Sequence, residues 1–189
     1  MITLDELRRM DNAALGEIVR DARPIPAGAL DDTQYLGIDL SLPSLVHRIL
    51  WTTFRKTFHR DPTTNALRGW NVRLEQTGVD GPKRPMRDRG GRAISFGHYH
   101  LRSAAGLRFP RAWRGADYLD YGVAHNHPWD LARFGYCPIV AVNEGSAELL
   151  LGWEVLKVGG VLVPLPDYWV LVREGPLEER VPPPQASAD

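Results

Sequence analysis

A single cysteine, Cys137, in 189 residues excludes an internal disulfide framework and fits a reducing compartment. No apolar run approaches the roughly 18 residues needed to span a bilayer. The first residues, MITLDELRRM, carry no basic stretch leading into an apolar one, so no secretory leader is expected. Net charge is also missing: 23 basic and 23 acidic residues cancel, which removes any global attraction to nucleic acid or anionic membrane. There is no Gly-x-Ser-x-Gly elbow, no phosphate-cradling Gly-Lys-Ser loop and no dinucleotide fingerprint. These absences set aside the commonest hydrolase, nucleotide-binding and dehydrogenase readings and leave the expectation of a cytoplasmic domain without a membrane span.

With 43% hydrophobic and 24% charged residues, the chain has the make-up of an ordinary globular protein. Its length suits one domain, expected over residues 1–181: a helical part over 1–66, an antiparallel barrel over 67–175, and a disordered tail over 182–189. Leu4, Leu7, Met10, Ala14, Leu15 and Ile18 recur at helical intervals behind a Thr3/Glu6 capping box. A second helix is expected from Pro43 to Phe58, with Leu45, Val46, Ile49, Leu50, Thr53, Phe54 and Phe58 as its apolar stripe. Arg48, Arg55, Lys56 and Arg60 form its basic face.

Beyond residue 67 the period drops to two, the signature of strands. Strands are expected over 68–76, 93–101, 118–125, 139–143, 147–158 and 161–172, with Gly145 and Gly159-Gly160 at tight turns. The strand at 147–158 is apolar on both faces and needs cover on both, which the N-terminal helices can supply on one side. The fold class is therefore α+β: two N-terminal helices packed on a strongly curved antiparallel β-sheet or a closed barrel.

Four of the six histidines form two His-x-His pairs, His98 with His100 and His125 with His127. Strand residues two apart face the same way, and His98 and His100 share parity with Ile94 and Phe96. That pattern predicts His98, His100 and His125 inside the barrel, as polar contacts for a ligand or as nitrogen ligands for a transition metal such as zinc. Read in the same way but without a metal, Glu75, Asp120 and Glu154 are acid/base candidates, and Cys137 is a candidate nucleophile or a small buried apolar residue. The tripeptide His125-Asn126-His127 is not a nuclease signature, because that motif consists of dispersed residues.

Trp70, Phe96, Tyr121, Trp153 and Trp169 lie on expected strands, where they can line a cavity around an apolar or conjugated molecule. From Lys83 to Arg114 there are nine basic residues and one acidic, whereas from Gly115 onward there are four basic and eleven acidic. The basic stretch can steer an anionic ligand, dock a second copy of the chain, or pair with the acidic half; without interleaved aromatics it disfavours a nucleic-acid partner.

Gly69-Trp70 at the opening of an expected first strand, with Arg173 near the end of the last, resembles the lipocalins, whose Gly-x-Trp element opens the barrel and whose late arginine packs across that tryptophan. Here the glycine adjoins Trp70 directly, and 68 residues precede it. The resemblance covers residues 68–174 and implies a ligand-holding barrel. The expected function is thus the binding of a hydrophobic or amphipathic small molecule, or of an anionic one. The rival expectation is a hydrolase, isomerase or cyclase using the clustered histidines.

Overall fold

The computed structural model describes residues 1–41 and 52–184. Two short helices, α1 (Leu4–Leu7) and α2 (Asn12–Asp21), precede eight strands. These are β1 (Thr33–Asp39), β2 (Thr53–Arg60), β3 (Leu67–Arg73), β4 (Ser95–Ser103), β5 (Asp117–Asp120), β6 (Tyr136–Ala141), β7 (Leu149–Val158) and β8 (Val161–Pro176). Each strand pairs antiparallel with the next, and β1 pairs with β8, so the sheet closes into an eight-stranded barrel. No helix among the described residues is long and apolar enough to cross a membrane.

The expected first helix is divided. The Thr3/Glu6 capping box forms as anticipated, with the Glu6 backbone N–H donating to Thr3 Oγ1 and the Thr3 N–H to Glu6 Oε2. Asp11 then accepts from the Ala14 N–H and starts a fresh helix, which ends at Ala22 in the left-handed conformation.

The expected second helix is overturned over its described part. Residues 53–60 form β2, paired with β1 on one side and β3 on the other. Its earlier residues, 43–51, lie outside the described residues. A helical stripe and a strand share Phe54 and Phe58. Here Phe54, Lys56 and Phe58 alternate inward, and tertiary pairing overrides the helical reading. Just ahead of the expected tail, the Val181 carbonyl accepts from Arg68 Nη1, 3.0 Å away; of the tail, residues 185–189 lie outside the described residues.

Two apolar clusters flank the barrel wall. Inside it, Tyr35, Phe58, Tyr99, Leu119, Ile139, Leu150 and Leu171 fill one end of the lumen. On the outer face of β6 to β8, Leu151, Trp153, Val155, Tyr168 and Val170 are covered by Leu7, Leu15, Ile18 and Val19 of the helices and by Phe109 and Trp113. The helices thus supply the cover that the doubly apolar β7 demands. Trp113 fastens this layer by donating its indole N–H to the Val19 carbonyl, 2.9 Å away.

One irregularity decides what faces the lumen. Across β3 and β4, Gly69 stands opposite Tyr99 but Asn71 stands opposite Phe96, so β4 carries an extra residue. Gly97 takes the strain at φ +49°, in the left-handed region, and its N–H donates to Asp130 Oδ2 while its carbonyl accepts from Asn71 Nδ2. A Cβ here would lie 2.7 Å from Asn71 Nδ2. Gly97→Ala is therefore expected to lower stability by about 1–3 kcal/mol, read as an earlier urea midpoint at unchanged slope.

Candidate functional site

The barrel has a second, polar end to its lumen. A cavity of about 210 Å³ opens there, next to where β1 leads toward β2. Phe54, Phe96, Tyr121 and Trp169 give it aromatic walls, and Ala132, from the 3₁₀ turn Leu131–Phe134, gives it a small apolar spot. Asp39, Lys56, Asn71, Glu154 and Asp167 are its polar lining.

Lys56 is the centre of this site. Alternation along β2 forces it inward between Phe54 and Phe58, and it is 1% exposed. Its ammonium donates to Asn71 Oδ1 at 2.8 Å and to the Tyr121 hydroxyl at 2.7 Å. The Nζ also lies 4.6 Å from the Tyr99 ring centre and 4.8 Å from that of Trp169, within cation–π range. Both hydrogen-bond acceptors are neutral, so neither repays the burial of a full charge. Burial brings the lysine down to about 7, against the opposing pull of Cys137 and Glu154.

The acidic groups are displaced in the opposite direction. Burial raises Glu154, and Cys137 Sγ donates to its Oε2 at 3.3 Å. Burial, reinforced by Glu154, holds the Cys137 thiol well above its ordinary range, so it is a protonated donor and not a thiolate. Asp167 is pushed up to about 7 by burial and by the neighbouring Asp39 and Glu154. Its Oδ1 is buried with no hydrogen-bond partner among the described residues. A base lowered toward neutrality and two acids raised toward it share one cavity, the arrangement that proton transfer at pH 7 requires.

Close packing shapes the floor. The Trp169 ring lies flat on Gly152, where an added Cβ would stand 2.1 Å from it. A glycine between Leu150 and Glu154 is thus what lets Trp169 reach into the lumen.

Of the residues singled out from the sequence, Phe96, Tyr121 and Trp169 meet in this cavity with Glu154, and Cys137 is bonded to Glu154 in the wall. The others lie elsewhere. Trp153 stands in the outer wall beneath α2, donating to the Leu165 carbonyl under the Arg111 guanidinium. Trp70 also faces outward, with the Arg68 guanidinium over its ring and His98 beside it, 6.2 Å between ring centres. The cation over Trp70 is therefore Arg68, while Arg173 pairs with Glu148 at 3.7 Å.

His98 and His100 follow Trp70 to the outside, because the extra residue at Gly97 ends their shared parity with Phe96. His98 contacts Ser95 Oγ, and burial and then Arg68 push it down to about 4, which keeps it neutral. His100 stands across from Asp120 on β5 and is likewise lowered, chiefly by burial. His125 is exposed in the loop after Tyr121. Among the described residues, no three His, Cys, Asp or Glu side chains are grouped so as to hold a metal ion.

Asn126, between the two histidines of the tripeptide, has a structural role: it accepts from the His98 N–H and donates to the His98 and Tyr121 carbonyls. Glu75 is exposed, and Asp120 is occupied by Tyr118, Arg102 and the Gly122 N–H. From the basic stretch, Arg87 pairs with Glu179 and Arg102 with Asp120.

Phe54 and Lys56 read from the sequence as two faces of a helix, and Asp39, Asn71 and Asp167 stand out by no pattern of their own. The available signal was the spacing Phe54-x-Lys56-x-Phe58, a charge set between two aromatics at strand period. Comparison with known proteins adds no relative: no family model, no curated protein and no solved structure matches the chain.

Proposed function

We propose that the polar end of the lumen binds one small, neutral, amphipathic molecule, about the size of a single substituted ring. The observation that carries this reading is the coexistence, in one cavity of about 210 Å³, of four aromatic walls with a buried amine and half-buried carboxyls. An apolar cavity of about 150 Å³ accommodates benzene, so this volume suits a ring with one or two substituents. Long-chain or retinoid-sized hydrophobes call for the roughly 300–1,000 Å³ typical of larger pockets.

Asp39, Glu154 and Asp167 line the cavity against the single amine of Lys56, which narrows the expected hydrophobic, amphipathic or anionic ligand to a neutral one. A hydroxyl or carbonyl oxygen on the ring suits the Lys56, Tyr121 and Asp167 side chains. The eight-stranded antiparallel barrel is compatible with a lipocalin-like ligand binder. A second reading, an enzyme working in the same cavity, is favoured by the opposed shifts of Lys56, Glu154 and Asp167; it rests on these groups and not on the histidines.

Blocking the cavity tests the binding reading. Ala132→Phe projects a ring into the lumen from a turn outside the barrel strands and is expected to weaken binding of 4-hydroxyacetophenone at least about tenfold in calorimetric titration, with unfolding little changed. Equal affinity in both proteins contradicts lumen binding.

A further inference from the structure

We propose that Lys56 captures a small aldehyde or ketone, held in the lumen, as a Schiff base. The proposal rests on the binding reading above and names its chemical class. Three features of the geometry support it.

First, the nitrogen is poised. Two of its three non-carbon positions are directed by hydrogen bonds to Asn71 Oδ1 and the Tyr121 hydroxyl, and Asn71 is itself fixed by donating to the Gly97 carbonyl. The remaining position is free for a lone pair, and the side chain borders the cavity. Second, no carboxylate among the described residues is hydrogen-bonded to the amine to hold it as ammonium, and burial disfavours the charge, as in amine-nucleophile sites generally. Third, proton donors line the same space. Glu154 and Asp167 both border the cavity, and Asp167 Oδ1 has no partner among the described residues.

The step balances without an external oxidant or reductant. The neutral amine attacks the carbonyl carbon, a C–N bond forms, and the carbonyl π pair moves to oxygen, which takes a proton from a protonated cavity carboxyl. The nitrogen returns a proton to that carboxylate. The carbinolamine then loses its hydroxyl as water with a second proton from the carboxyl, the C=N bond forms, and the iminium proton restores the acid. One amine and one carbonyl give one imine and one water. With burial bringing Lys56 down to about 7, the neutral, reactive amine is accessible at neutral pH.

The sequence makes the test clean, because its only lysines are Lys56, Lys83 and Lys157. The protein is incubated with 4-methoxybenzaldehyde and cyanoborohydride, and labelling is located by peptide mass mapping, while the Trp169 indole signal in a proton–nitrogen spectrum reports binding. The expected result is reduction-trapped adduct at Lys56 at least about tenfold faster than at Lys83 or Lys157, with a rate that is greatest near pH 7, where the neutral amine and a protonated carboxyl coexist. Lys56→Arg is expected to lose that adduct, and the wild-type protein to show the Trp169 shift also with 4-methoxybenzyl alcohol, a ligand that has no carbonyl. A Trp169 shift in the wild-type protein without preferential Lys56 labelling overturns the Schiff base and leaves binding standing. Neither shift nor labelling overturns both.

Discussion

Lys56→Met is expected to stabilise the protein at pH 6 and to destabilise it near pH 10. The lysine titrates at about 7 in the folded protein and at 10.5 in an unfolded chain. Between those values the unfolded chain holds a proton that the folded protein lacks, so stability rises with pH. Below about 7 both states are protonated, and the full cost of burying the ammonium is present; above 10.5 neither is protonated and the cost is gone.

At 1.36 kcal/mol per pH unit the swing is about 5 kcal/mol. Methionine carries none of it, but it leaves Asn71 Oδ1 and the Tyr121 hydroxyl without their shared donor, a pH-independent loss of about 1–3 kcal/mol. Glu154 and Cys137 face the same nitrogen, and removing its charge pushes the carboxyl further toward its protonated form. Urea unfolding of both proteins at pH 6 and pH 10 measures the swing. A difference between them that does not change with pH contradicts the buried, charge-disfavouring setting of Lys56.

Trp153→Ala is expected to lose about 3–5 kcal/mol, the usual cost of truncating a buried tryptophan. For a domain of typical stability that is a large share of the total. Trp153 is 2% exposed and bonded to the Leu165 carbonyl, and it belongs to the layer formed by Leu15, Ile18 and Val19. Because it stands outside the barrel wall, the affinity of the folded variant for a lumen ligand is expected to match that of the wild-type protein. A specific loss of affinity, with stability little changed, would place Trp153 in the ligand site and contradict the assignment of inner and outer faces.

The contrast between Trp153 and Trp169 shows how far the sequence is legible. Both lie on strands that alternation locates, yet aromatic content does not say which face is the lumen. Gly152 carries that information, because only a residue without a Cβ lets Trp169 lie across β7. Glu154 shares its face and is inward for the same reason. The histidine pair differs from the alternation pattern by one residue of register: alternation puts Phe96, His98 and His100 on one face, and the left-handed Gly97 separates them.

The missing strands have another cause. In β1, Tyr35 points into the lumen core while Leu36 and Ile38 pack outward, so neither face reads as polar. In β2, the inward position between two phenylalanines is a lysine, which reads as the solvated face of a helix when sequence spacing alone is weighed. A lysine buried in a barrel lumen breaks the pattern by which buried strands are recognised.

The six tryptophans supply the most direct test of the central claim, that the lumen beside Lys56 holds a small neutral ring compound. Each gives one indole signal in a proton–nitrogen spectrum, and among the described residues Trp169 is the only tryptophan that borders the cavity. Titration with 4-hydroxyacetophenone is expected to move the Trp169 signal in a saturable manner while those of Trp70 and Trp153 stay in place. Saturable movement of Trp70 or Trp153 with Trp169 unmoved would contradict the account.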